Sequence, residues 1–315
     1  MAVVRRIGFA YHPSFLRHET GLNHPERPER LQAICDHVRA VGLWGKLTHF
    51  APTPVPPQTV SLVHPHAYRK EIERACRQGP TALDPDTMAS PASWDAALRA
   101  VGAVTQAIDR VAGGLLTAVF CAVRPPGHHA LADRAMGFCL FNNVAIGARY
   151  AQQRHNLSRI LIVDWDVHHG NGTQAIFYDD ATVFYFSTHQ YPFYPGTGTP
   201  EQTGQGAGAG FTMNVPLSAG AGDAELIRAF QEELVPRALE FKPQLVLISA
   251  GFDAHRDDPL AQLQVTEAGY AQLTRIVRDI AERSCRGRLV SVLEGGYNLL
   301  ALGRSVESHL RALLE

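Results

Sequence analysis

Short apolar runs alternate along this chain with amphipathic stretches. Five runs rich in Val, Ile, Leu and Phe read as buried parallel strands: 117–123 (TAVFCAV), 159–163 (RILIV), 182–186 (TVFYF), 244–250 (QLVLISA) and 288–293 (RLVSVL). Between and beyond them, apolar positions recur at helical spacing over 91–112, 141–155, 223–240, 266–284 and 298–314. Earlier helices are predicted over 26–42 and 66–77. Strand alternating with helix predicts βαβ units, hence an α/β fold with a parallel sheet and helices on both faces. The stretch 51–57 (APTPVPP) reads as an irregular connection. The stretch 203–210 (TGQGAGAG) reads as a glycine loop running into a further strand, without the spacing of a phosphate cradle.

Polar residues collect immediately after the apolar runs, where open parallel sheets bind ligands. Run 117–123 leads into Arg124-Pro125-Pro126-Gly127-His128-His129, and 159–163 into Asp164-Trp165-Asp166-Val167-His168-His169-Gly170-Asn171. Ser187-Thr188-His189 follow the third run, Gly251-Phe252-Asp253-Ala254-His255 the fourth, and Glu294-Gly295-Gly296-Tyr297 the fifth. If the backbone stays extended through Asp164-x-Asp166-x-His168, these three side chains share one side, and two carboxylates crowded there need a cation. Asp166 and His168 form an O,N pair for a transition metal, and Asp253 stands at the same sheet edge. Three protein ligands with an open position mark a catalytic zinc site rather than a structural one. Salt bridging or helix capping is the bland reading of these aspartates, but no Lys or Arg stands within the Asp164–Asn171 segment. His128-His129 sit in a stiff loop after a diproline and a glycine, and the Tyr297 phenol is suited to donate to a developing oxyanion. His169, next to His168, is expected to point the other way, either supporting the ligands from behind or serving packing.

Composition narrows the function. The 315 residues are 45% hydrophobic and 19% charged, with net charge −1, as expected of one large domain spanning 1–315. Near-neutral charge argues against direct nucleic-acid binding. No apolar run approaches the roughly 18 residues of a membrane span. The opening Met1-Ala2-Val3-Val4-Arg5-Arg6-Ile7 lacks a secretory apolar region. Five cysteines, an odd count without C-x-x-C, fit reduced thiols in a cytoplasmic protein. Histidine is the unusual figure, at 15, and it is both the commonest metal ligand and the usual general base.

The ordered motifs RPPGHHA, DWDVHHGNGTQ, YPGTG, GFDAH and LEGGY resemble those of the zinc-dependent histone deacetylase superfamily, from about Tyr11 to the C-terminal helix. Asn171 in DWDVHHGNG is similar to the class II branch, and a short single-domain chain resembles its bacterial members. The resemblance implies an arginase/deacetylase-like three-layer fold with a central eight-stranded parallel sheet. It implies one catalytic Zn2+ on Asp166, His168 and Asp253. His128 and His129 match the paired catalytic histidines, and Tyr297 the carbonyl-polarising tyrosine. Asp164 matches the partner of His128, and Asn171 the partner of His129. A structural K+ is implied at Asp164 and Ser187. An acyl-lysine tunnel is implied at Gly137, Phe138, Tyr194, Leu260 and Gly295, with Tyr194 replacing the more usual Phe. Arg30 matches an arginine beside an internal acetate cavity.

The implied substrate is an acylated lysine peptide or an acetylated small amine, and homo-oligomers are compatible with the family. Within that family the alternative is an acetylpolyamine amidohydrolase. Its gatekeeper Glu would stand seven residues after Asp253, where this chain has Leu260, while Asp84 or Asp86 could supply a rim carboxylate instead. An arginase-like two-metal hydrolase lacks its extra aspartates here. A non-catalytic acyl-lysine binding module would be expected to lose Tyr297 or a zinc ligand, and none is lost.

Overall fold

The computed structural model describes residues 5–315; Met1–Val4, part of the opening segment read above, lie outside the described residues. Strands form at β1 (Ile7–Ala10), β2 (Thr48–Phe50), β3 (Thr81–Ala82), β4 (Met88–Ala89), β5 (Ala118–Cys121), β6 (Ile160–Asp164), β7 (Val183–Gln190), β8 (Thr212–Leu217), β9 (Leu245–Ala250) and β10 (Leu289–Leu293). Eight of them make one sheet in the order β2-β1-β5-β10-β9-β6-β7-β8, parallel throughout. The pair β3–β4 forms a small antiparallel hairpin apart from it.

Helices follow as α1 (Glu29–Ala40), α2 (Pro57–Val60), α3 (His66–Gln78), α4 (Ser93–Ala112), α5 (Asn143–His155), α6 (Asn171–Phe177), α7 (Asp223–Ala229), α8 (Val235–Phe241), α9 (Glu267–Cys285) and α10 (Leu299–Leu314). Helices α1, α10, α9, α7 and α8 pack in one row, and α4 pairs with α5. The sheet lies between such layers, which is the arginase/deacetylase-like α/β architecture. Every residue of β5, β6, β7, β9 and β10 is buried, as parallel strands covered on both faces require. Polar caps set several helix starts: Asn142 accepts from Ala145 N–H at 3.0 Å, and Asn298 from Ala301 N–H at 3.1 Å.

Two readings of the pattern are corrected. Strand β7 does not stop at Phe186 but continues to Gln190, because Ser187, Thr188, His189 and Gln190 are buried and pair with β8 from Asn214 to Leu217. The helix read as continuous over 223–240 contains a π-turn at Phe230–Leu234, just before Pro236, which has no N–H to donate to the preceding turn. Strands β1 and β2 and helix α6 gave no pattern that was recognised: β1 and β2 are only four and three residues long.

Candidate active site

Strands β5, β10, β9 and β6 are adjacent, and their carboxyl ends open into one basin. The loop after β5 brings His128 and His129, and the one after β6 brings Asp166 and His168. The loops after β9 and β10 bring Asp253 and Tyr297. Sheet order therefore gathers residues that lie as far apart in sequence as 128 and 297.

Asp166, His168 and Asp253 offer donor atoms that all lie within 4.8 Å of one another. His168 Nδ1 stands 3.1 Å from Asp166 Oδ1 and 3.2 Å from Asp253 Oδ2. The backbone pins the two carboxylates. Gly295 N–H donates to Asp166 Oδ2 at 2.8 Å, and Val167 N–H to Asp253 Oδ1 at 2.9 Å. Asp253 Oδ2 is buried and faces His168 Nδ1 in an ion-pair contact that lacks hydrogen-bond geometry. Two buried carboxylates this close repel each other unless a cation lies between them. Burial and the neighbouring Asp166 charge push the Asp253 carboxyl up to about 7. Burial opposes charge on His168, but Asp166 and Asp253 outweigh it and raise the imidazole to about 10. Two carboxylates and one imidazole converging on one point form a donor set that fits zinc. The approach is tight enough that a Cβ at Gly251 would run into Asp166 and one at Gly295 into Asp253.

The extended-backbone expectation for Asp164-x-Asp166-x-His168 is corrected. Asp166 N–H donates to Asp164 Oδ1 at 3.1 Å, and His168 N–H to Asp166 Oδ1 at 2.9 Å, so the chain bends immediately after β6. Asp164 turns away from the cluster. Its Oδ2 lies 2.9 Å from His128 Nδ1 and accepts from the Tyr185 hydroxyl at 3.2 Å. Ser187, its register partner on β7, pairs with His189 Nδ1 at 2.9 Å. Both oxygens of Asp164 and the Ser187 hydroxyl have protein partners.

His128 and His129 lie side by side, ring centroids 4.1 Å apart, in different electrical surroundings. Burial disfavours charge on His128, but Asp164, Asp166 and Glu294 outweigh it and hold its pKa well above the ordinary value. Burial lowers that of His129 well below the ordinary value, helped by His128 and His168. His129 Nδ1 lies 2.8 Å from Asn171 Oδ1, an amide without charge. Burial and the Asp253 charge push the Tyr297 phenol well above its usual range, so it remains protonated.

A pocket of about 100 Å3 leads to these groups, lined by Gly137, Phe138, Tyr194, Leu260 and Gly295, and also by Pro126 and Asp86. Phe138 stands edge-on to Tyr297, centroids 5.9 Å apart, and Tyr194 edge-on to His129 at 5.2 Å. Phe193 stacks on His168 at 5.5 Å. Gly137, at φ +55°, passes so close to the His129 ring that a Cβ would collide with it. Of the two rim candidates, Asp86 reaches the pocket and Asp84 does not. Asp84 instead accepts from Asp86 N–H at 3.0 Å.

Arg30 does not line the pocket. It lies fully buried behind Tyr297, its guanidinium 4.9 Å from the ring centre, donating to Gly296 O and to Glu26. Glu26 also binds Arg124 and is held down to about 2, because the two guanidiniums outweigh its burial. His169 points into a polar network with Thr197 and Gln174 at 2.7 and 2.9 Å.

Sequence reasoning assigned no role to Glu294 or Asp258. Glu294 Oε2 accepts from Gly127 and His128 N–H, at 2.7 and 3.2 Å. Asp258 accepts from Tyr297 N–H. The usable signal was their place in strand-end segments already rich in polar residues.

The sequence matches the family model of the histone deacetylase domain over residues 24–313. It is 42% identical to "Histone deacetylase 10, chloroplastic" of Oryza sativa subsp. japonica, over 92% of this chain and 70% of that protein. It is 41% identical to a "Probable deacetylase" of Archaeoglobus fulgidus, over 93% and 81%. With "Polyamine deacetylase HDAC10" of Homo sapiens it shares 41% identity, over 92% of this chain and 44% of that protein. The solved HDA15 HD domain superposes with a TM-score of 0.94 at 38% identity, over 99% of this chain and 89% of that one. The chain belongs to the histone deacetylase family and is, in that general sense, a deacetylase acting on amides.

Proposed function

We propose that the chain, as one catalytic domain over 1–315, is a zinc-dependent amidohydrolase. It removes acetyl or other short acyl groups from the Nε amine of lysine or a similar amine. The observation that carries this reading is the convergence of donor atoms from Asp166, His168 and Asp253 within 4.8 Å of one another, at the pocket end shared with His128, His129 and Tyr297. Zinc held by those three side chains would polarise the amide carbonyl and lower the pKa of a bound water.

The chain's own residues supply the rest. Tyr297 donates its hydroxyl to the carbonyl oxygen as negative charge develops there. His129 is neutral; its Nδ1–H donates to Asn171 Oδ1, which leaves Nε2 free to take the proton of the attacking water. The same imidazole then returns that proton to the departing amine. His128, charged against Asp164, stabilises the transient negative charge without needing to move its proton. Phe138 and Tyr194 exclude water around a neutral acyl-amine stem. Potassium at Asp164 and Ser187 enters no step. The five buried free thiols fit a reducing compartment, which supports a cytoplasmic location.

One observation favours a second substrate within the same chemistry. The Asp86 carboxylate at the pocket could meet the distal ammonium of an acetylated polyamine, whereas Leu260 offers no charge. Turnover of an acetyl-lysine peptide and of N-acetylputrescine by the zinc-loaded protein separates the two. A kcat/KM at least about tenfold higher for the peptide is expected, and a preference of that size corresponds to only about 1.4 kcal/mol. The reverse order would establish the amine reading.

A further inference from the structure

Asp258 sits five residues past Asp253, in the turn that ends at Leu260, and is nearly inaccessible. Its carboxylate binds no cation. Oδ2 accepts from Tyr297 N–H at 2.7 Å and Asn298 N–H at 3.2 Å, and Oδ1 accepts from Leu260 N–H at 3.1 Å. One side chain therefore ties three things together: the loop descending from Asp253, the pocket wall at Leu260 and the backbone of Tyr297. The segment before Tyr297, with Gly296 at φ +121°, a conformation only glycine adopts readily, is held through Gly295 N–H on Asp166 and Gly296 O on Arg30; Asp258 adds the anchor at Tyr297 N–H itself. On the other side, Asn298 caps α10 through Leu300 and Ala301 N–H at 3.1 Å, and its amide donates to Asp257 O at 2.9 Å. The turn holding Asp257 and Asp258 is thus clamped to the start of α10 at three points, with Tyr297 between the clamp and the pocket.

We propose that Asp258 is a positioning residue: it fixes the Tyr297 hydroxyl against the reacting carbonyl and keeps the Leu260 wall in register with it. This deepens the deacetylase reading and rests on it. A phenol displaced by about 1 Å loses oxyanion contact with little effect on how the acyl stem enters the pocket. Asp258→Asn keeps shape and volume but replaces one acceptor oxygen with a donor amide, so the two-sided clamp cannot be completed.

The test is a double-mutant cycle of Asp258→Asn and Tyr297→Phe, read on an acetyl-lysine peptide, with zinc content and circular dichroism measured on each protein. In the otherwise unchanged chain, Asp258→Asn should lower kcat about tenfold or more, change KM less than about threefold and leave zinc content unchanged. In the Tyr297→Phe background the same substitution should cost less than about twofold, because the group it positions is already gone. An equal loss in both backgrounds, or no loss in either, overturns the proposal. If Tyr297→Phe alone leaves turnover unchanged, the functional reading of Tyr297 fails and this proposal fails with it, a result distinct from an additive cycle. Should Asp258→Asn not fold, the same cycle is run with Asp258→Thr, which keeps one acceptor, and the same outcomes decide it.

Discussion

In the proposed reaction Tyr297, His129 and His128 divide one proton transfer and one charge between them, and their neighbours decide which does which. The phenol is kept protonated by burial and the Asp253 charge, so Tyr297→Phe should keep its zinc and lose about 100-fold or more in kcat. Steady-state kinetics with elemental analysis checks this; unchanged turnover would remove the oxyanion role. Asn171 gives His129 an acceptor without charge. In Asn171→Asp, the new carboxylate favours the protonated imidazole and raises its pKa. Since the neutral form is the active base, the acid limb of the kcat/KM profile should move to higher pH, by on the order of one unit. A limb that stays put or moves down would show that His129 is not the base. The identity of these residues was legible in the sequence because each follows an apolar run that must end at the sheet edge. The orientation of Asp164 was not, since it depends on two side-chain-to-backbone hydrogen bonds that bend the chain after β6.

The loops after β9 and β10 work as one unit, because the glycines at their starts let Asp166, Asp253 and the backbone interpenetrate. Gly295→Ala places a methyl against the Asp253 carboxylate, in a region too well packed to yield. Zinc affinity should fall by about 10- to 100-fold, measured by competition with a chelating dye. Unaltered affinity would mean that these carboxylates do not approach as described. At this scale the pattern of apolar runs located the five central strands to within a few residues but misjudged β7. Polarity after Phe186 reads as the end of that strand, yet Ser187 and His189 satisfy each other inside it. The neighbouring strands β1 and β2, at one side of the sheet, are too short to show a period, and the eight-stranded sheet was legible only through the family resemblance.

For the molecule as a whole, the histidine count acquires a second meaning. His18, His64 and His189 are each lowered to about 4, and His309 to about 3, chiefly by burial. His309, for example, lies between Thr274 and Ser291 at 2.8 Å from each, as a neutral core residue. Their folded pKa values lie below the unfolded value of 6.5. As pH falls through 6.5, the unfolded chain therefore binds protons that the native one refuses until near 4. Stability is complete above that window and is lost across it, by up to about 1.4 kcal/mol per pH unit for each such histidine. The urea midpoint should drop clearly between pH 7 and pH 5; an unchanged midpoint would contradict the burial of neutral imidazoles. Composition alone could not separate these core histidines from the catalytic ones, because only the sheet order brings His128, His129 and His168 to one basin. The central claim is that this basin is a single-metal amide hydrolase centre on Asp166, His168 and Asp253. It is tested most directly by measuring zinc per chain and acetyl-lysine turnover on the same samples of the unaltered protein and Asp253→Ala. One zinc with turnover in the former, and loss of both in the latter, is the expected result; full zinc occupancy or retained turnover in Asp253→Ala would contradict it.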